Sequence, residues 1–68
     1  MKAMSTRQVV KALRRNECTL TGTDGPHDKW VCKCGKHSTA VPRHTETSAG
    51  VVRNIIRDLA CLPKGWLQ

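Results

Sequence analysis

The sequence predicts a small α+β domain, ordered α-β-β-β-α, in which two helices pack on one face of a three-stranded antiparallel sheet. Three observations lead there. Apolar residues recur at helical spacing behind a capping residue near each end of the chain, and the spacing changes to period two between them. Turn-forming clusters at Asp24-Gly25-Pro26 and Lys33-Cys34-Gly35-Lys36 then divide that middle stretch into short strands. With 68 residues there is room for one domain, read as residues 1–68 with a core over about 5–60 and an apolar tail at 61–68. A chain of this size buries only about 60% of the surface its unfolded form exposes, so a deep ligand pocket is not expected.

Ser5-Thr6-Arg7-Gln8 has the form of a capping box and sets a helix start at residue 5 or 6, with the end at Arg15 or Asn16. At about 100° per residue, Val9, Ala12 and Leu13 fall together with Val10 beside them, while Arg7, Lys11, Arg14 and Arg15 project to the other side. That basic side is either a solvated charge run or a phosphate-contacting surface; its excess of one sign, with no acidic partner on the helix, is what raises the second reading.

From Glu17 to Thr23, Cys18 and Leu20 alternate with Thr19 and Thr21, which predicts a first strand. A second is expected from about His27 to Cys32 and a third from about His37 to Val41, joined by a hairpin turn in which Gly35 takes the positive backbone angle. In the second strand Asp28, Trp30 and Cys32 share one face; His27, Lys29 and Val31 share the other. The large Trp30 ring is the best seal for a small core, so the helices are assigned to its face, leaving His27 and Lys29 side by side in the open. Pro42 ends the third strand, and Arg43 to Thr47 reads as a polar connector. The second helix is capped by Ser48 or Thr47; Val51, Val52, Ile55, Ile56 and Leu59 form its apolar stripe, with Arg53 and Arg57 outward. The tail carries Pro63 and Gly65 as breaks, yet Leu62, Trp66 and Leu67 are apolar enough to fold back on the core or to meet a partner.

Twelve Lys+Arg against five Asp+Glu give a formal charge of +7, which calls for a polyanion: RNA, DNA or an acidic protein. An anionic membrane fits less well. No apolar run nears the ~18 residues of a spanning helix and the first residues lack an apolar signal region, so a cytoplasmic, membrane-free protein is expected. Phe and Tyr are absent, which removes the aromatic stacking platform of single-strand binders apart from Trp30 and Trp66. Recognition would therefore lean on charge and shape.

His27 follows the turn and opens a strand. Such a junction holds an imidazole on a rigid element in contact with solvent, and imidazole exchanges protons near neutrality. A bland surface histidine is the competing reading of that residue alone.

Three segments carry a resemblance to a known family: Gly25-Pro26-His27-Asp28-Lys29-Trp30, Val41-Pro42-Arg43-His44 and Gly50-Val51-Val52-Arg53-Asn54-Ile55-Ile56. In order and spacing, over about residues 5 to 60, the chain resembles the HicA toxins of bacterial type II toxin–antitoxin pairs, which have a double-stranded-RNA-binding-like fold. The resemblance implies a metal-independent, cofactor-free endoribonuclease that cleaves mRNA and is held inactive by a cognate HicB-type antitoxin. It also gives His27 a catalytic role. Pro26 stands where the family usually has Ser, so a hydroxyl contribution there is lost; Cys32-x-Cys34 and the tail after Ala60 lie outside the family pattern. The chemistry is economical, since RNA carries its own nucleophile in the 2′-hydroxyl. His27 can take that proton, Lys29 or Arg43 can hold the phosphate, and Arg7, Lys11 and Arg14 extend the basic surface. An acidic antitoxin that covers His27 would compete with RNA for those same cations.

The main rival is a zinc-stabilised basic nucleic-acid-binding module without catalytic activity. Cys32-x-Cys34-x2-His37, with His44 beyond, offers soft and imidazole ligands, although structural sites usually space the first pair by two to four residues. On the opposing reading, Cys18 and Cys61 are small core residues and Cys34 an exposed thiol. Free thiols or a metal are expected rather than disulfides, since no export signal is evident. A DNA-binding module is poorer still, for want of a helix-turn-helix pair.

Overall fold

The computed structural model describes residues 1–68, and its elements run β1 (Met4–Ser5), α1 (Thr6–Arg15), β2 (Thr19–Asp24), β3 (His27–Val31), β4 (Ser38–Pro42), β5 (Glu46–Thr47) and α2 (Ala49–Asp58). The main sheet is antiparallel in the order β2-β3-β4, with both helices on its Trp30 side; β1 and β5 form a separate two-stranded pair. The α+β class and the helix-on-sheet arrangement expected from the sequence are both present.

Each helix starts where a hydroxyl can accept an otherwise orphaned amide. Ser5 Oγ accepts from the Gln8 amide at 3.2 Å, and Ser48 Oγ from the Val51 amide at 3.4 Å. The segment Arg43–Thr47 is more than a polar connector. Met4 pairs with Thr47 and Ser5 with Glu46, and Thr47 is fully buried, its Oγ1 sharing a hydrogen bond of 2.8 Å with Thr6 Oγ1. Ser48 is therefore the cap of α2, while Thr47 anchors the start of α1 to it. At the other end of α1, Glu17 takes a left-handed φ of 64°, the conformation that usually selects Gly at a helix terminus.

The core consists of Val9 and Leu13 from α1, Cys18, Trp30 and Cys32, Val41 from β4, Ile55 and Leu59 from the second helical segment, and Leu62. Trp30 is 2% exposed and is capped by Arg14, whose guanidinium lies 5.2 Å from the ring centre, a cation–π arrangement. Cys18 belongs to this core as expected, but β2 contributes nothing to it. Every residue of β2 is exposed. A bulge between Leu20 and Gly22 breaks the alternation, and two ten-residue helices leave this edge strand uncovered.

The tail folds back. Leu62 is buried, Trp66 and Leu67 pack half-buried against the core, and the Gln68 side chain exchanges two hydrogen bonds with the Lys2 backbone, at 3.0 and 2.7 Å. Cys61 is exposed rather than a core residue; its sulfur touches that of Cys32, 29 residues away in sequence, a contact that the expectation of free thiols did not foresee, while Cys18 and Cys34 make no such contact. The turn after α2 returns the chain to the end of β3, a convergence that no local pattern announces.

Candidate active face

The open face of the sheet is organised by a two-residue turn. Gly25 has φ 60°, the sign that a two-residue hairpin connection requires, and with Pro26 it sets Asp24 opposite His27. On the other side His27 pairs with Pro42, so the histidine is held on the central strand between two neighbours. Its side chain is exposed, as is that of Lys29 two residues along. Gly22 and Ala40 flank Lys29 in register, and these small neighbours leave the ammonium unobstructed.

A polar depression of about 250 Å³ lies here, lined by Asp24, His27, Lys29, Ser38, Thr39, Ala40 and Asp58. The floor at the β4 edge is fixed by Thr39, which donates to Asp58 Oδ2 at 3.1 Å. Asp24 and Asp58 are the ionisable members that the sequence reading did not place in the site. The length of the Gly25-Pro26 turn was the available signal for Asp24, because a two-residue connection places its flanking residues face to face; for Asp58, at the end of a helix, there was none.

The other basic residues lie elsewhere. Arg43 donates through Nε to Asp28 Oδ1 at 2.8 Å, and Asp28 shares the helix-side face of β3 with Trp30. Arg14 is committed to Trp30. Arg7 and Lys11 are exposed on α1, which covers the opposite side of the sheet from His27. The structure thus brings His27 and Lys29 together, leaves Arg43 at the same end of the sheet in an ion pair, and separates Arg7, Lys11 and Arg14 from the open face.

The sulfur-bearing end of β3 is the end opposite His27. Cys32, Cys34 and Cys61 group their sulfurs there, with His37 Nδ1 3.1 Å from Cys34 Sγ. His44, a ligand in the zinc reading of the sequence, stands exposed between β4 and β5 and is not in the group. The hydrogen bond from His37, then that from the Lys36 amide, lower the Cys34 thiol to about 7. Burial is the largest influence on the Cys18 thiol and raises it.

No helix is long and apolar enough to cross a membrane. Comparison with curated proteins and with solved structures finds no match. Residues 6–60 match a family model described as the HicA toxin of bacterial toxin–antitoxin pairs, a span that takes in both helices, all three strands of the main sheet and the His27 turn, and whose partner by definition is an antitoxin. The chain belongs to the HicA toxin family.

Proposed function

We propose that the protein is an endoribonuclease that cleaves mRNA through its open sheet face, with His27 as general acid and base. The observation that carries this reading is that His27 and Lys29 share the uncovered face and line one depression. His27 takes the proton of a ribose 2′-hydroxyl, the freed oxygen attacks the adjacent phosphorus, and Lys29 offsets charge on the pentacoordinate phosphate. The same imidazole, now protonated, gives its proton to the departing 5′-oxygen. The products are a 2′,3′-cyclic phosphate and a free 5′-hydroxyl, and no metal enters the reaction. One positioned proton-transfer group supplies about 10²–10⁴-fold, which suits a slow toxin.

The antitoxin in this reading is of the HicB type, acidic, and seated over the same face. A net charge of +7 favours fast capture by an acidic partner, with an association rate that falls as salt rises. RNA first meets Lys29 and then Arg43, released from Asp28; Arg7 and Lys11 serve longer strands that wrap around the domain.

The test is His27→Ala. Induction of the variant should no longer arrest growth, and the purified chain should leave RNA intact while melting within about 2–4 °C of the parent, because the side chain is exposed and unpacked. A folded His27→Ala chain that still cleaves RNA would remove His27 from the mechanism. A substrate with a single ribonucleotide in a DNA strand should be cut only at that position if the 2′-hydroxyl is the nucleophile.

A further inference from the structure

Three cysteines far apart in sequence meet at the end of β3 remote from His27. The sulfurs of Cys32, just past the strand, Cys34, in the turn, and Cys61, beyond α2, all lie within 4.8 Å of one another. His37 Nδ1 adds a nitrogen 3.1 Å from Cys34 Sγ. From this geometry we propose that the chain binds one zinc ion through the thiolates of Cys32, Cys34 and Cys61 and the imidazole of His37.

Zinc at ~2.3 Å from sulfur and ~2.0 Å from nitrogen, in tetrahedral geometry, sets two thiolates about 3.8 Å apart and a thiolate and an imidazole nitrogen about 3.5 Å apart. The three sulfurs lie within 4.8 Å of one another, with Cys32 and Cys61 closer than the tetrahedral separation and His37 in contact with Cys34 alone, so side-chain rotation must part the first pair and bring the imidazole inward. The competing use of two of these sulfurs is a disulfide. Against it, the Cα atoms of Cys32 and Cys61 stand 7.6 Å apart, beyond the ~4.4–6.8 Å that disulfides usually span, and a disulfide gives Cys34 no part.

The surroundings suit a bound thiolate. The Lys36 amide donates to Cys34 Sγ at 3.4 Å, the kind of outer hydrogen bond that orients a ligand. Three thiolates and a neutral imidazole on a dication leave one negative charge, and Lys33 and Lys36 sit on either side of Cys34 in the turn. The short Cys32-x-Cys34 spacing is accommodated because Gly35, at φ 75°, folds the turn so that its amide bonds back to the Cys32 carbonyl at 2.8 Å.

Four protein ligands leave no open position, so the ion is structural. It ties the β3–β4 turn to the end of α2, and β3 itself, at ~3.3 Å per residue, keeps it some ~17 Å from His27. Each thiol that enters the site loses its proton to solvent, no electrons move, and binding free energy becomes folding free energy. Cys61 lies just outside the matched span 6–60, so the staple joins the shared domain to this chain's own tail.

The purified chain, kept in a thiol reductant without chelator, should carry one zinc by native mass spectrometry and melt at lower temperature once a chelator strips it. Cobalt(II) added to the metal-free chain should give the visible bands of a tetrahedral ion with sulfur-to-metal charge transfer. Cys61→Ser and His37→Ala should each weaken retention against a chelator by ~10-fold or more, whereas Cys18→Ser and His44→Ala should leave it unchanged. Should Cys61→Ser fail to fold, the cobalt spectrum of the unaltered chain decides alone. A zinc-free chain whose cobalt form lacks sulfur charge transfer overturns the proposal, as does a Cys32–Cys61 disulfide that persists in the reductant; unaltered retention in His37→Ala overturns the four-ligand set.

Discussion

Arg43 Nε meets Asp28 Oδ1 at 2.8 Å, and the contact ties the segment after β4 to the residue that follows His27. The Arg43 amide also donates to the Pro26 carbonyl at 3.1 Å, so the turn before His27 is held from the same residue. Both partners keep contact with water, the Arg43 side chain at 51% and Asp28 at 29% exposure. A double-mutant cycle of Arg43→Ala and Asp28→Ala by urea denaturation should therefore give a coupling of only about 0.3–1 kcal/mol. Arg43→Ala should reduce RNA cleavage more than this stability change explains, and equal losses in the two assays would show that the pair is merely structural.

Ile55 and Leu59 are fully buried in the common core, whereas Arg53 and Arg57 face solvent. Ile55→Ala and Leu59→Ala should each cost about 2–5 kcal/mol, a large share of the stability of so small a domain. Arg53→Ala and Arg57→Ala should each cost under about 0.5 kcal/mol. Thermal and urea melts of the four variants check the ranking.

Glu17 carries the left-handed backbone at φ 64°, and its carboxylate meets Lys33 at 3.4 Å with both side chains more than half exposed. Exposed pairs of that kind contribute little, while a left-handed non-Gly residue costs roughly 1–2 kcal/mol. Glu17→Gly should stabilise the fold by about 1 kcal/mol, read as a higher melting temperature; a lower one would mean that the ion pair outweighs the backbone.

The Cys34 thiol is lowered to about 7, chiefly by the His37 hydrogen bond, and the Cys18 thiol is raised by burial. Lowering the value puts Cys34 half in its thiolate form near neutrality, so in the metal-free, reduced chain its alkylation should rise through pH 7 and level off above it. Cys18 should stay unmodified until the chain unfolds. His37→Ala should shift the Cys34 profile to higher pH; mass spectrometry of iodoacetamide-treated chains across pH reads both sites.

Much of the fold was legible because it rests on local patterns. The Ser5 and Ser48 caps and the Val51–Leu59 stripe located the helices, and assigning Trp30 to the core placed His27 and Lys29 on the open face. What escaped was tertiary. Alternation at Cys18 and Leu20 suggested a half-buried strand, but the bulge after Leu20 and the limited reach of two short helices left β2 exposed. The β1–β5 pair is only two residues long in each strand, too short to mark the sequence. The basic stripe of α1 was visible, yet which side of the sheet it would occupy relative to His27 depends on packing. Cys61 meets Cys32 across 29 residues by way of a turn with no signature of its own.

Because consecutive side chains of β3 leave the strand on opposite sides, neighbouring codons in this short stretch answer to different demands. In a genetic screen for loss of toxicity, changes at Trp30 would erase the polypeptide from the cell, while under the proposed mechanism changes at His27 or Lys29 would leave normal amounts of inert protein. Protein abundance plotted along the strand would stay high at His27 and Lys29 and fall at Trp30. A lineage could then disarm this chain without losing it, keeping a folded domain still able to occupy its antitoxin.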